Sequence, residues 1–359
     1  MAHSKRLLLT LFLALSLIAT ACGSDDDTTP ADGDETETAS EASDLRVGLV
    51  YDIGGRGDLS FNDSAAAGLD QAAQEFGVEI EELEPNEGGE NREELLRLLS
   101  EQEFDLVFGV GFLFADSVKA TAADFPEVNY GLIDGGFEGL DEAGNVASLT
   151  FAEHEGSFLV GAAAALKSTT GKIGFIGGVE IDLIKKFEAG FIAGAKHVNP
   201  DIEVDVKYIS QPPDFSGFGD PAKGKEVALG QYNGGADVIY HAAGGSGAGL
   251  FEAAKEVSER TGTKVWAIGV DSDQYQTAPE EVREYVLTSM LKRVDVAVYE
   301  TVKDAVEGAF APGSRTFGLS DDGVGYSTSG GHLDDIVEQL EELKASIIAG
   351  DIVVPSAPA

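Results

Sequence analysis

A chain of 359 residues with 43% apolar and 25% charged content is long enough for two globular domains. Its 24 basic residues face 64 acidic ones, a net charge of −40, which excludes nucleic acid and anionic lipid surfaces as partners, since both require a basic face. A single cysteine excludes an internal disulfide.

Read in chain order, Lys5 and Arg6 precede the apolar run "LLLTLFLALSLIATA", which reads as a secretory signal peptide over residues 1–21. The run stops at Cys22. "LIATAC" resembles a bacterial lipobox, with Ala19 where leucine is commonest and Ala21 as the small residue before the cleavage point. That resemblance implies a lipid-modified Cys22 holding the protein to the extracytoplasmic side of the cell membrane, because several acyl chains give lasting anchorage; otherwise Cys22 is an ordinary leader residue. Residues 22–44 carry nine acids and no base, which predicts a flexible, self-repelling tether.

From Leu45 onward, 55 acidic residues still outnumber 22 basic ones. Here strand and helix patterns alternate. "LRVGLVYDI" reads as a buried strand and "SAAAGLDQAAQEFG" as a helix closed by Gly77, followed by "VEIEELE", "NREELLRLLSEQ", "DLVFGVG" and "NYGLIDGG". After "NVASLTF" the series starts again through "KIGFIGG", "VDVKYIS", "ADVIYHAAGG" and "KVWAIGVDSD". Such alternation predicts βαβ units. The two series echo each other, "VNYGLIDGG" paralleling "VWAIGVDSD". The fold class expected is therefore α/β, two similar doubly wound parallel-sheet lobes with a ligand cleft between them. The first lobe is expected over residues 45–151 plus about 272–312, the second over 152–271 plus about 313–359. In such sheets the strand C-termini face the ligand; here they are Asp52–Gly55, Gly109–Phe114, Asp134–Gly136, Gly177–Gly178, Gly244–Gly249 and Asp271.

Motifs for catalysis fail on spacing. "GGSGAG" places Leu250 where a dinucleotide loop needs its third glycine, and Ala248 where a nucleophile elbow needs glycine. Neither Gly171-Lys172 nor Gly224-Lys225 continues into the serine or threonine of a phosphate loop, and the five histidines show no metal-ligand spacing. No enzyme, cofactor or metal is expected.

"SFNDSAAAG", "DPAKGKE", "DVIYHAAGGSGAGLFEAAKE", "WAIGVDSDQ" and "TSMLKRVDVAVYE" together resemble the basic membrane protein family. These are nucleoside-binding lipoproteins of ABC importers, similar in fold to type I periplasmic binding proteins. The resemblance spans about Leu45 to Pro355 and implies two lobes, joined by three crossovers, that close on a nucleoside. It implies that Phe61 and Phe218 sandwich the base, and that Asp52 and Asp116 accept hydrogen bonds from its N–H edge, a pattern suited to purines. Asn62 either helps to read the base or caps the helix. Asp271 and Lys292, with the backbone at Gly244 and Gly245, would hold the ribose.

Plainer readings stand beside these. Phe61 suits a core, Phe215 competes with Phe218, Asp116 suits a helix N-cap, and Asp271 and Lys292 suit an ion pair. The function expected is a monomeric, lipid-anchored solute-binding protein that delivers a nucleoside to an ABC permease and its ATPase. The alternatives are a binding protein for a free pentose or a signalling ligand, or a nucleoside-processing enzyme.

Overall fold

The computed structural model describes residues 43–358, Glu87 apart; the expected leader, Cys22 and most of the tether lie outside these residues. The described residues belong to one compact unit, Ser40–Ala359. Its first elements are β1 (Arg46–Val50), α1 (Phe61–Phe76), β2 (Glu79–Leu83), α2 (Arg92–Glu101), β3 (Leu106–Val110), α3 (Ala115–Asp124), β4 (Asn129–Ile133) and β5 (Val146–Phe151). Then follow α4 (Glu153–Lys167), β6 (Lys172–Val179), α5 (Asp182–Val198), β7 (Glu203–Ser210), α6 (Pro221–Asn233), β8 (Val238–Ala242), α7 (Ala248–Thr261) and β9 (Trp266–Asp271). The chain ends through α8 (Gln274–Thr277), α9 (Glu280–Arg283), β10 (Val286–Lys292), α10 (Val294–Val306), β11 (Gly313–Phe317), β12 (Val324–Tyr326) and α11 (Val337–Ile348).

Two six-stranded sheets result, β11-β5-β4-β3-β1-β2 and β12-β10-β9-β8-β6-β7. The first is parallel throughout, and the second departs from parallel only at β12, which runs against β10. Helices cover both faces, so central strands such as "LVFGV" of β3 and "VIYHA" of β8 are buried at every residue. In each sheet the order reverses beside its first strand, between β1 and β3 and between β6 and β8. That is where a doubly wound sheet opens a crevice.

The chain passes between lobes three times: from β5 into α4, from β10 into α10, and from β11 to β12. This corrects the boundaries expected from sequence. Residues 286–292 form the fifth strand of the second sheet, in register beside β9, while β11 at 313–317 extends the first sheet beside β5. β11 joins the edge of its sheet through a partner more than 160 residues away, and β10 lies between β9 and β12; local periodicity does not reveal which sheet a strand joins.

Local sequence explains the elements flanking the cleft. Asp220 caps α6 by accepting the Lys223 N–H at 3.0 Å, with Pro221 in the first turn. Helices α4 and α5 approach almost backbone to backbone, since a Cβ at Gly194 would fall 1.9 Å from the Phe158 carbonyl oxygen. This contact sets the start of α5, with Leu183, Ile184 and Phe187, against the cleft.

Candidate functional site

A cavity of about 570 Å³, part of it open to solvent, lies between the C-terminal ends of the two sheets. From the first lobe it is lined by Asp52, Ile53, Asp58, Phe61, Asn62, Gly111, Phe112 and Asp134, and from the second by residues that include Phe187, Phe218, Gly244, Asp271 and Lys292.

Asp52 ends β1. Its backbone N–H donates to Asn62 Oδ1 at 3.0 Å, and its Oδ1 accepts from the Ile53 N–H at 2.8 Å and from Arg92 at 3.3 Å. Glycine is required at Gly111, φ +103°, because a Cβ there would meet Asp52 Oδ2 at 2.2 Å. Burial raises the Asp52 carboxyl to about 6, against the opposing pull of the Ile53 N–H and Arg92. Asn62 is buried and its side-chain amide is committed, donating to Asp58 Oδ2 at 3.1 Å and to the Ile53 carbonyl at 3.4 Å. It holds the Asp52 loop in place; its own N-terminal helix is served by Asp58, whose carboxylate accepts the N–H groups of Ser60, Asn62 and Asp63.

Lys292, the last residue of β10, is 2% exposed. It pairs with Asp134 Oδ2, stands 3.7 Å from Glu153 Oε1, and lies 5.0 Å, 5.1 Å and 5.6 Å from the ring centres of Phe61, Phe151 and Phe187. Burial opposes the ammonium charge, but Asp134, Glu153 and Asp271 together outweigh it and hold the lysine above its ordinary pKa. Glu153, fully buried, is pushed upward by desolvation, and Lys186 reaches its Oε2 at 3.2 Å. Asp134 Oδ1 is buried without a hydrogen-bond partner. Asp271 takes a different donor: its Oδ2 accepts the Ser60 hydroxyl at 2.6 Å. Burial raises it to about 7, only partly countered by Lys292 and Ser60.

The structure thus brings Asp52, Phe61, Asn62, Phe218, Gly244, Asp271 and Lys292 to one cavity. Asp116 does not join them. A 3-10 turn at Phe112–Phe114 separates β3 from α3, so Asp116 falls in the exposed first turn of α3, where no side-chain cap forms. Gly245 sits behind the lining, facing Asp58 and the Phe218 carbonyl. The expected Asp271–Lys292 ion pair is replaced by Lys292 with Asp134 and Glu153. Asp134 was expected among the strand ends that face the ligand but was given no role there, and Glu153 and Phe187 escaped the sequence reading. Asp134 had the one visible signal, as the counterpart of Asp271 in the repeated strand. Among the described residues no group of three His, Cys, Asp or Glu side chains is placed to hold a metal ion.

Comparison with known proteins agrees with this architecture. The family described as "ABC transporter substrate-binding protein PnrA-like" matches residues 45–357. An "ABC transporter nucleoside-binding protein BmpA" of Lactococcus lactis is 34% identical, with 98% of this chain and 99% of that protein covered. An uncharacterized lipoprotein of Pyrococcus abyssi is 37% identical over 82% of this chain and 72% of its own length. Among solved structures, an ABC transporter solute-binding protein from Aeropyrum pernix superposes with a TM-score of 0.75 at 34% identity, covering 87% of this chain and 94% of that one. Two doubly wound lobes, three crossovers and a cavity at the strand ends are what a match over nearly the whole globular chain leads one to expect, and the chain belongs to the PnrA-like family of ABC transporter substrate-binding proteins.

Proposed function

We propose that this protein captures a nucleoside, with purines favoured, outside the cell membrane. Lipid on Cys22 holds it there, and it passes the ligand to an ABC permease and its ATPase. The carrying observation is the chemistry of the lining: Phe61, Phe187 and Phe218 beside the carboxylates of Asp52, Asp134 and Asp271, with Lys292 as the lining cation. Aromatic faces stack on a base, worth about 1–3 kcal/mol per ring. Carboxylates accept from N–H and O–H groups. Excess negative charge disfavours a phosphorylated sugar.

In this reading Phe61 and Phe218 take the base and Asp52, fixed by Asn62, accepts from its edge. Asp271, Lys292 and the backbone at Gly244 hold the ribose. Asp134 adds the acceptor of its unpartnered Oδ1. All these groups come from one chain, which suits a monomer. The relative named for nucleoside binding supports the ligand class, and the relative named as a lipoprotein supports the anchor.

Titration calorimetry with adenosine, guanosine, inosine, uridine, cytidine and free ribose tests the assignment. Purine nucleosides are expected to bind and ribose not. Binding of ribose alone would replace the nucleoside with a pentose, and binding of none would remove the ligand assignment.

A further inference from the structure

We infer that Leu59 and Ser60 are the clasp that holds the two lobes closed, and that Ser60 is a positioning residue that presents Asp271 to the ligand; the second half rests on the nucleoside reading above. Neither residue lines the cavity.

The first-lobe half is rigid before it meets its partner. Leu59 is a non-glycine residue at φ +57°, a conformation that costs free energy and persists only where neighbours impose it. Its N–H donates to Asp63 Oδ2 at 2.9 Å, and the Ser60 N–H donates to Asp58 Oδ1 at 2.9 Å. The Leu59 carbonyl faces the other lobe, and the Ser60 carbonyl accepts the Ser64 N–H at 3.0 Å as the first bond of α1 while keeping a lone pair for the other lobe.

The second-lobe half is a single segment, Asp271 to Thr277. The Leu59 carbonyl accepts from Gln274 Nε2 at 2.9 Å and from Thr277 Oγ1 at 3.5 Å. The Ser60 carbonyl accepts from the Ser272 hydroxyl at 3.0 Å, and the Ser60 hydroxyl donates to Asp271 Oδ2 at 2.6 Å. Gln274 is itself fixed: its Oε1 accepts the Val270 N–H and faces His241 Nε2, each at 2.9 Å, and its N–H donates to Ser289 Oγ at 3.0 Å. Ser60 and Gln274 are both buried by this contact.

Every one of these cross-lobe bonds is lost if the cleft opens, and each half keeps its internal bonds. The clasp also reaches the ligand. With Asp271 Oδ2 occupied by Ser60, the other oxygen of the same carboxylate is free for the cavity and its direction is set. That arrangement exists only in the closed state, so ligand contact with Asp271 and closure stabilise each other.

The test uses the chain from Ser40, which holds both sheets and lacks Cys22, in wild-type, Ser60→Ala, Ser60→Thr and Gln274→Ala forms. Stopped-flow dissociation of guanosine is expected to quicken about tenfold or more in Ser60→Ala, the scale of a lost hydrogen bond to a charged group, with association nearly unchanged. Ser60→Thr, which keeps the hydroxyl, is expected to restore the wild-type rate. Spin labels at Glu94→Cys on α2 and Glu226→Cys on α6 report the lobe separation without any ligand; Ser60→Ala and Gln274→Ala are expected to lengthen and broaden it. Wild-type dissociation and wild-type label distances in both variants would overturn the clasp. If wild-type protein binds no nucleoside while the label distances still lengthen, the nucleoside reading fails and the clasp stands. Lengthened distances with unchanged guanosine dissociation would overturn the positioning role of Ser60.

Discussion

In the first lobe β4 runs into Asp134, and in the second β9 ends on Asp271; both aspartates sit in the left-handed region, at φ 60° and 63°, which aspartate tolerates better than most residues. Both are buried at the cavity, and each takes its donor from the opposite lobe. Asp134 faces the Lys292 ammonium from β10, and Asp271 faces the Ser60 hydroxyl from the start of α1. One repeated strand end has therefore received two electrostatic treatments. The first carboxylate meets a full counter-charge, whereas burial raises the second to about 7, only partly countered by Lys292 and the Ser60 hydroxyl. Sequence symmetry gives position, and the partner across the cleft gives chemistry.

Removing the counter-charge should have the largest effect on that contrast. Lys292→Met leaves Asp134 buried without a counter-charge and Glu153 with Lys186 alone, and a destabilisation of about 3–5 kcal/mol is expected, visible as a large fall in the denaturant midpoint together with loss of nucleoside binding. A wild-type midpoint would show that the pair is not needed for the fold.

Phe61→Ala and Phe218→Ala come next. Each is expected to weaken purine nucleoside binding by about 1–3 kcal/mol, read by calorimetry. If either binds as wild type does, that ring is not a stacking face and Phe187 or Phe215 takes its place.

Titration of Asp271 sharpens the contrast further. Protonation of Asp271 removes an anionic acceptor that Ser60 and the ligand share, so affinity is expected to fall as pH drops through about 7, and to be nearly flat there in Asp271→Asn. Lys292, Asp58 and Asp134 are the charged groups that act on it and remain in that variant. Stability without ligand runs the other way. The folded pKa of Asp271 lies above its ordinary 3.8, so the neutral form favours the fold; this contribution is complete below about pH 4 and is lost as pH rises through about 7. Melting temperature across pH 4 to 8 in wild type and Asp271→Asn measures it.

The smallest effect is expected at Asp116→Ala, within about 0.5 kcal/mol of wild type in stability and unchanged in affinity. A clear loss of binding there would restore the role expected from sequence.

How legible these features were depends on the range of the interaction that creates them. Buried strands, helix stops such as Gly77, and Asp52 and Asp271 at strand ends follow from periodicity and local chemistry, all within a few residues, whereas Phe61 came from the family resemblance. Asp116 came from the family resemblance, and the 3-10 turn at Phe112–Phe114 leaves it in the exposed first turn of α3, outside the lining. Glu153 reads as an ordinary acid in the first turn of a helix; it is buried because the chain enters the second lobe there. The role of Asp134 depends on Lys292, 158 residues away. Family resemblance carried Lys292 to the cavity, but not the partner it would choose.

Glu153 opens the helix after the first crossing of the chain between lobes, and Lys292 closes the strand before the second. Displacement in a rotation grows with distance from its axis, so lobes turning about the crossings would stretch these ionic contacts little. The costliest charges are thus kept near the crossings, where a change of lobe angle does little work against them.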